Sequence, residues 1–134
     1  SLSEPPSGRK IPAKSMLFDL IDSVPVFELT VNGSTAKTTI SFDTDEPQIS
    51  QDLVKQLGLT SIKIAGSKNK PEENIVEKVE VIITPTDRPY FKTQATVKDF
   101  GTDAYGFKLG LNYIKGKELV INYKDTWLLI SDAK

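Results

Sequence analysis

The sequence predicts an all-β domain, a compact barrel or sandwich carrying one or two short helices. Three observations predict it. Short runs of alternating apolar and polar residues recur from Pro25 onward, turn residues punctuate them, and only the stretches after Ser50 and Gly110 break the two-residue period with a helical one. At 134 residues the chain is one ordinary domain, long enough to bury a core without disulfides.

The elements follow in order. Ser1 to Ser15, SLSEPPSGRKIPAKS, is rich in Pro, Ser and Lys without periodicity and reads as a tail. MLFDLIDS, next, is a helical turn or a docking arm, so residues 1–24 are expected to form a flexible tail or arm and residues 25–134 the folded domain. In PVFELTVNGSTAKTTISF, Phe27, Leu29 and Val31 alternate with polar residues, and so do Ala36, Thr38, Ile40 and Phe42. Asn32-Gly33 between them predicts a hairpin, because both residues tolerate positive φ. SQDLVKQLGL predicts a helix with Ser50 as N-cap, Asp52 at its positive end, Leu53, Val54 and Leu57 inward, and Gly58 as left-handed stop. TSIKIAG, IVEKVEVII and YFKTQATV predict three more strands, with Ile75, Val79, Val81 and Ile83 on one face. A short helix is expected after Gly110, and ELVINY with TWLLIS closes the chain as a second hairpin, where Tyr123 and Trp127 read as cross-strand or core residues.

Composition removes many functions. Hydrophobic residues make up 38% and charged residues 26%, with a formal net charge of −1, so neither nucleic acid nor an anionic membrane is an expected partner. No apolar run approaches the roughly 20 residues that span a bilayer, and no signal-peptide pattern is visible. The chain holds no Cys and no His. That excludes thiolate nucleophiles, Ser-His-Asp machinery and zinc sites built on those ligands, and no metal or cofactor is expected. An intracellular location, cytoplasmic or nuclear, is the expectation.

The chemistry then rests on one stretch, TTISFDTDEPQIS, where a strand ends in a cluster of Asp43, Asp45 and Glu46. It is not an EF-hand, which needs Gly at the sixth and Glu at the twelfth position, where this chain has Gln48 and Val54. The order of a strand, an Asn-Gly hairpin, a strand ending in Asp43-Thr44, and then Ile49-Ser50 and LVKQLGL resembles the retropepsin-like aspartic proteases, particularly those of LTR retrotransposons. Phe107, Leu109, Gly110, Leu111, Asn112 and Tyr113 are similar to that family's second loop, an apolar pair and Gly with a helix behind it. The resemblance runs from Pro25 to Ser131.

It implies a small closed β barrel of the retropepsin-like (acid protease) type. Asp43 is implied as the catalytic aspartate, with Thr44 bonding across a dimer or, alternatively, to its own loop. The implied chemistry is two carboxylates about 3 Å apart sharing one proton, one activating water and the other donating to the peptide carbonyl. One Asp-Thr loop gives half of such a site, so two copies must meet on a two-fold axis. Gly66, Asn69 and Lys70 are the candidate flap over substrate. The chain departs from the family in three places. Asp45 stands where the family has Gly, the acidic loop is about two residues short, and the flap tip is charged. Asp45 and Glu46 beside Asp43, doubled by symmetry, would repel one another and disturb a shared-proton pair.

The leading expectation is therefore a catalytically degenerate aspartic-protease-like domain that self-associates as a homodimer or binds an extended peptide. The alternative is an active homodimeric aspartic endopeptidase of retrotransposon polyprotein type, with Asp43 from each subunit. A third reading, from another class, is a structural or assembly domain.

Overall fold

A computed structural model describes residues 11–65, 75–85 and 89–132. In chain order it contains β1 (Met16–Leu17), β2 (Asp19–Ile21), β3 (Val24–Val31), β4 (Ser34–Ile40), β5 (Gln48–Ser50), α1 (Gln51–Leu57), β6 (Ile62–Ala65), β7 (Ile75–Thr84), β8 (Phe91–Lys98), β9 (Phe107–Leu109), α2 (Leu111–Ile114), β10 (Lys117–Asn122) and β11 (Trp127–Asp132). Strands dominate, as the alternation predicts.

The strands form an 8-stranded sheet in the order β2-β3-β4-β9-β5-β8-β7-β6 and a 3-stranded sheet in the order β1-β11-β10. A short pairing of Thr30 with Thr84 and Val31 with Ile83 joins β3 to β7. The order β3-β4-β9-β5-β8-β7 thereby returns to its start. Most ladders are antiparallel, but β4 runs parallel to β9 and β5 parallel to β8. Those two parallel pairings tuck the two strand–loop–helix segments beside each other, which no hairpin could do.

The core follows the two-residue period. Phe27, Leu29 and Val31 of β3, Val79, Val81 and Ile83 of β7, and Phe107 and Leu109 of β9 are buried together with Ile49 and Leu128. Each such side chain contributes about 1.5–3 kcal/mol of burial free energy. Asn32 and Gly33 take φ of 52° and 80°, the doubly positive turn that matches strand twist. In α1 the Ser50 side chain accepts from the Leu53 amide, and Gly58 closes the helix at φ 65°. Leu53 and Val54 are buried, and Leu57 packs partly against the core.

Two departures from the sequence reading stand out. Of the two expectations for MLFDLIDS the arm is the one observed and the helical turn is not, with strand pairing from Met16, ahead of Pro25: β1 pairs with β11, β2 pairs with β3, and Phe18 between them is buried. The turn from β2 to β3 is Asp22-Ser23, with φ of 52° and 66°. Without a glycine, this turn carries no sequence signal of its own and is held by the strands around it. Phe42 is the other departure. It continues the alternation of Ala36, Thr38 and Ile40, yet β4 ends at Ile40 and Phe42 is exposed beside Asp43.

Candidate functional site

The acidic loop, Ser41 to Pro47, links β4 to β5 and crosses over Gly110. Its backbone is fastened to the β9–α2 segment at three points. The Ser41 amide donates to the Leu109 carbonyl at 2.8 Å, and the Leu111 and Asn112 amides donate to the Thr44 and Asp45 carbonyls at 2.8 and 2.9 Å. The last two are opening amides of α2, which has no side-chain cap. Carbonyls of the acidic loop thus satisfy helix donors that would otherwise lack partners. Gly110 makes the approach possible. A Cβ there would lie 2.4 Å from the Asp45 carbonyl oxygen and 2.5 Å from that of Glu46. Its backbone is extended, at φ −96°, so glycine is needed for space and not for conformation.

The loop's side chains divide by role. Asp43 is exposed. Its amide donates to Ser41 Oγ at 3.3 Å, and among the described residues no hydrogen bond or ion pair reaches its carboxylate. Thr44 is half-buried, and its hydroxyl donates to the Glu46 carbonyl at 3.1 Å, the local of the two bonds expected for it. Asp45 is exposed and engaged through its backbone. Glu46 forms a salt bridge with Lys78 of β7, whose side chain is 20% exposed against 45% for Glu46.

That salt bridge orients the surrounding sheet. Gln48 pairs with Thr96, Thr96 with Lys78, and Lys78 with Ile62, so these four share one face across β5, β8, β7 and β6. Ile64 and its partner Val76 stand on the same face. It is the face turned away from the core side chains Val79, Val81 and Ala95, and Glu46 meets it at its acidic-loop end. Ile62 and Ile64 are exposed there on β6, an edge of the sheet among the described residues. An apolar shelf met at one end by the Glu46–Lys78 pair is the result.

Asp43, Thr44 and Asp45 therefore lie together in one loop, over Gly110. The flap candidates Gly66, Asn69 and Lys70 lie outside the described residues. Lys78 was missed by sequence reasoning. Its partner is 32 residues away along the chain, and only the strand register brings the two together. Within one chain the loop offers one aspartate at the position implied as catalytic, Asp43, so a shared-proton dyad of such aspartates needs a second copy. Among the described residues no group of Asp and Glu side chains is arranged to hold a metal ion.

Comparison with solved structures points the same way as the fold. A retropepsin-like aspartic protease from Rickettsia conorii superposes with a TM-score of 0.58 at 13% identity, over 88% of this chain and 89% of that one. The retroviral protease-like domain of Ddi1 from Leishmania major gives 0.47 at 15% identity, over 92% of both chains. The first likeness supports the retropepsin-like fold. No protein-family model matches the chain. No curated protein matches it either.

Proposed function

We propose that this chain is a retropepsin-fold module that has lost catalysis and works by self-association and by binding extended protein segments. The observation that carries this reading is the condition of the acidic loop. Where the resemblance implies a glycine, Asp45 adds a second exposed acid close to Asp43, and the backbone there serves to cap α2. Glu46 is neutralised by Lys78, which removes part of the repulsion and so favours a stable loop. Asp45 has no such partner among the described residues, and in a two-fold pair its charge would be doubled beside the aspartates. The cyclic strand order supports a small closed barrel as the scaffold.

The terminal sheet supports self-association. Leu17, Trp127 and Asn122 form one row across it, and Val120 with Leu129 the next, all on the side away from buried Leu128 and Ile130. Leu17 and Val120 are exposed at 51% and 40%, enough apolar area to reward a partner. Among the described residues, both β1 and β10 are open edges of this sheet. A second copy of the chain suits such a face, since two-fold association is the commonest way to cover it. The shelf of Ile62, Ile64 and Val76 suits a peptide strand with apolar residues at alternate positions.

An active homodimeric endopeptidase is the second reading. The exposed Asp43 carboxylate favours it, because among the described residues no hydrogen bond or ion pair occupies the group that a twin would have to meet.

Sedimentation equilibrium tests self-association. The wild type is expected to dimerise, and Leu17→Glu with Val120→Glu to leave a folded monomer. A wild-type monomer at all concentrations would overturn this part of the proposal.

A further inference from the structure

We propose that the cavity between the β7–β8 hairpin, β9 and α2 binds a small neutral amphipathic molecule, an apolar ring or chain with one uncharged hydroxyl head. The cavity measures about 290 Å³, and Pro47, Ile83, Phe91, Leu109 and Tyr113 supply its apolar wall. The Phe91 and Tyr113 rings in that wall lie 5.7 Å apart at a tilt of 31°, an aromatic surface for an apolar body. The volume is at the lower end of the roughly 300–1,000 Å³ of ligand pockets, which suits a body of one ring.

Thr93 selects the head group. It lines the cavity from the core-facing row of β8, opposite Val81 and between Phe91 and Ala95. Its neighbours on that side, Ala95 and Val97 of β8 and Val79, Val81 and Ile83 of β7, are apolar and buried. Thr93 is half-buried, and among the described residues its hydroxyl has no hydrogen-bond partner. Thr38, the core-facing threonine of β4, differs, because its hydroxyl donates to the Ala36 carbonyl at 3.0 Å. A polar group set into an apolar wall ordinarily finds a partner, so Thr93 holds one donor and its acceptor positions ready for an occupant.

Charge is disfavoured in either sign. Among the described residues no carboxylate lines the cavity, so a cationic head meets no counter-charge. Of the two lining lysines, Lys117 is engaged by Asp132 at 2.8 Å, and Lys92 pairs with Ile82 in the outward row of the hairpin. An ionised head would give up its hydration with nothing to replace it, whereas a hydroxyl recovers a bond from Thr93.

The site is separate from the shelf described above. Ile83, Phe91 and Thr93 belong to the core-facing side of the β7–β8 hairpin, whereas Lys78 and Thr96 belong to the opposite side. The cavity meets the acidic loop at Pro47 and at Gly110, over which the loop crosses. The proposal therefore stands whether or not the domain cleaves or binds peptides.

Titrating phenethyl alcohol into the ¹⁵N-labelled full chain tests the proposal. Phenylacetate, phenethylammonium and propylbenzene serve as matched probes with a negative, a positive and no polar head. Phenethyl alcohol should bind saturably and shift the amides of residues 91–93 and 109–113. Phenylacetate and phenethylammonium should each bind about tenfold more weakly or worse, since neither head finds a counter-charge. Thr93→Val keeps the branched shape and removes the hydroxyl. It should weaken phenethyl alcohol about fivefold, the worth of one hydrogen bond, and leave propylbenzene unweakened. Should that variant fail to fold, the series of heads on the wild type decides alone. Five results would each overturn the proposal: unchanged affinity for phenethyl alcohol in Thr93→Val, equal weakening of propylbenzene there, a charged probe bound as tightly as the alcohol, shifts gathered instead on Leu17, Val120 and Leu129, or no saturable binding.

Discussion

The helix after the acidic loop and the helix after Gly110 begin in opposite ways. α1 carries its own cap, with the Ser50 hydroxyl accepting from Leu53 and Gly58 closing the other end. α2 has no side-chain cap, and the acidic loop supplies a backbone one through the Thr44 and Asp45 carbonyls. One helix is therefore written in local sequence and the other in tertiary contact. The same comparison gives Asp45 a task unrelated to its charge. Its carbonyl holds α2 while its carboxylate, like that of Asp43, projects into solvent.

Breaking the tertiary cap should cost most. Gly110→Ala drives a Cβ against the Asp45 and Glu46 carbonyl oxygens, the first of which accepts from the Asn112 amide of α2 and the second from the Thr44 hydroxyl. A loss of about 3 kcal/mol in urea unfolding is expected, at the upper end of overpacking penalties. Breaking the local cap should cost less. Ser50→Ala removes one helix bond and should lose about 1 kcal/mol, with the unfolding slope unchanged. Smaller again is the link between the acidic loop and the outer face. Lys78→Met should cost about 0.5 kcal/mol, because the pair is partly exposed and screened, and the difference should shrink in high salt. A larger, salt-independent loss would mean that the pair is shielded from solvent more than its exposure implies.

The same contrast explains what the sequence made legible. The Asn32-Gly33 hairpin, the α1 boundaries and the inward sets of β3 and β7 were readable because each is fixed by residues within a few positions of itself. The Asp22-Ser23 turn was not, since its positive φ values are imposed by strands pairing on either side. Phe42 was misread because alternation continues past the point where β4 stops pairing. At the candidate site, Asp43, Thr44 and Asp45 could be picked out as a cluster, and Gly110 as its counterpart. The Glu46–Lys78 salt bridge and the shelf of Ile62, Ile64 and Val76 depend on register across β5, β8, β7 and β6, which no local pattern encodes.

The central claim is that the acidic loop is a structural clamp whose aspartate no longer cleaves peptides. Digestion of an unfolded protein substrate at acid pH, by the wild type and by Asp43→Asn across the concentrations used for sedimentation, tests it most directly. Asp43→Asn should leave stability within about 0.5 kcal/mol of wild type, because among the described residues no partner reaches its carboxylate. The account predicts no cleavage by either protein, whereas cleavage by the wild type that disappears in Asp43→Asn would contradict it.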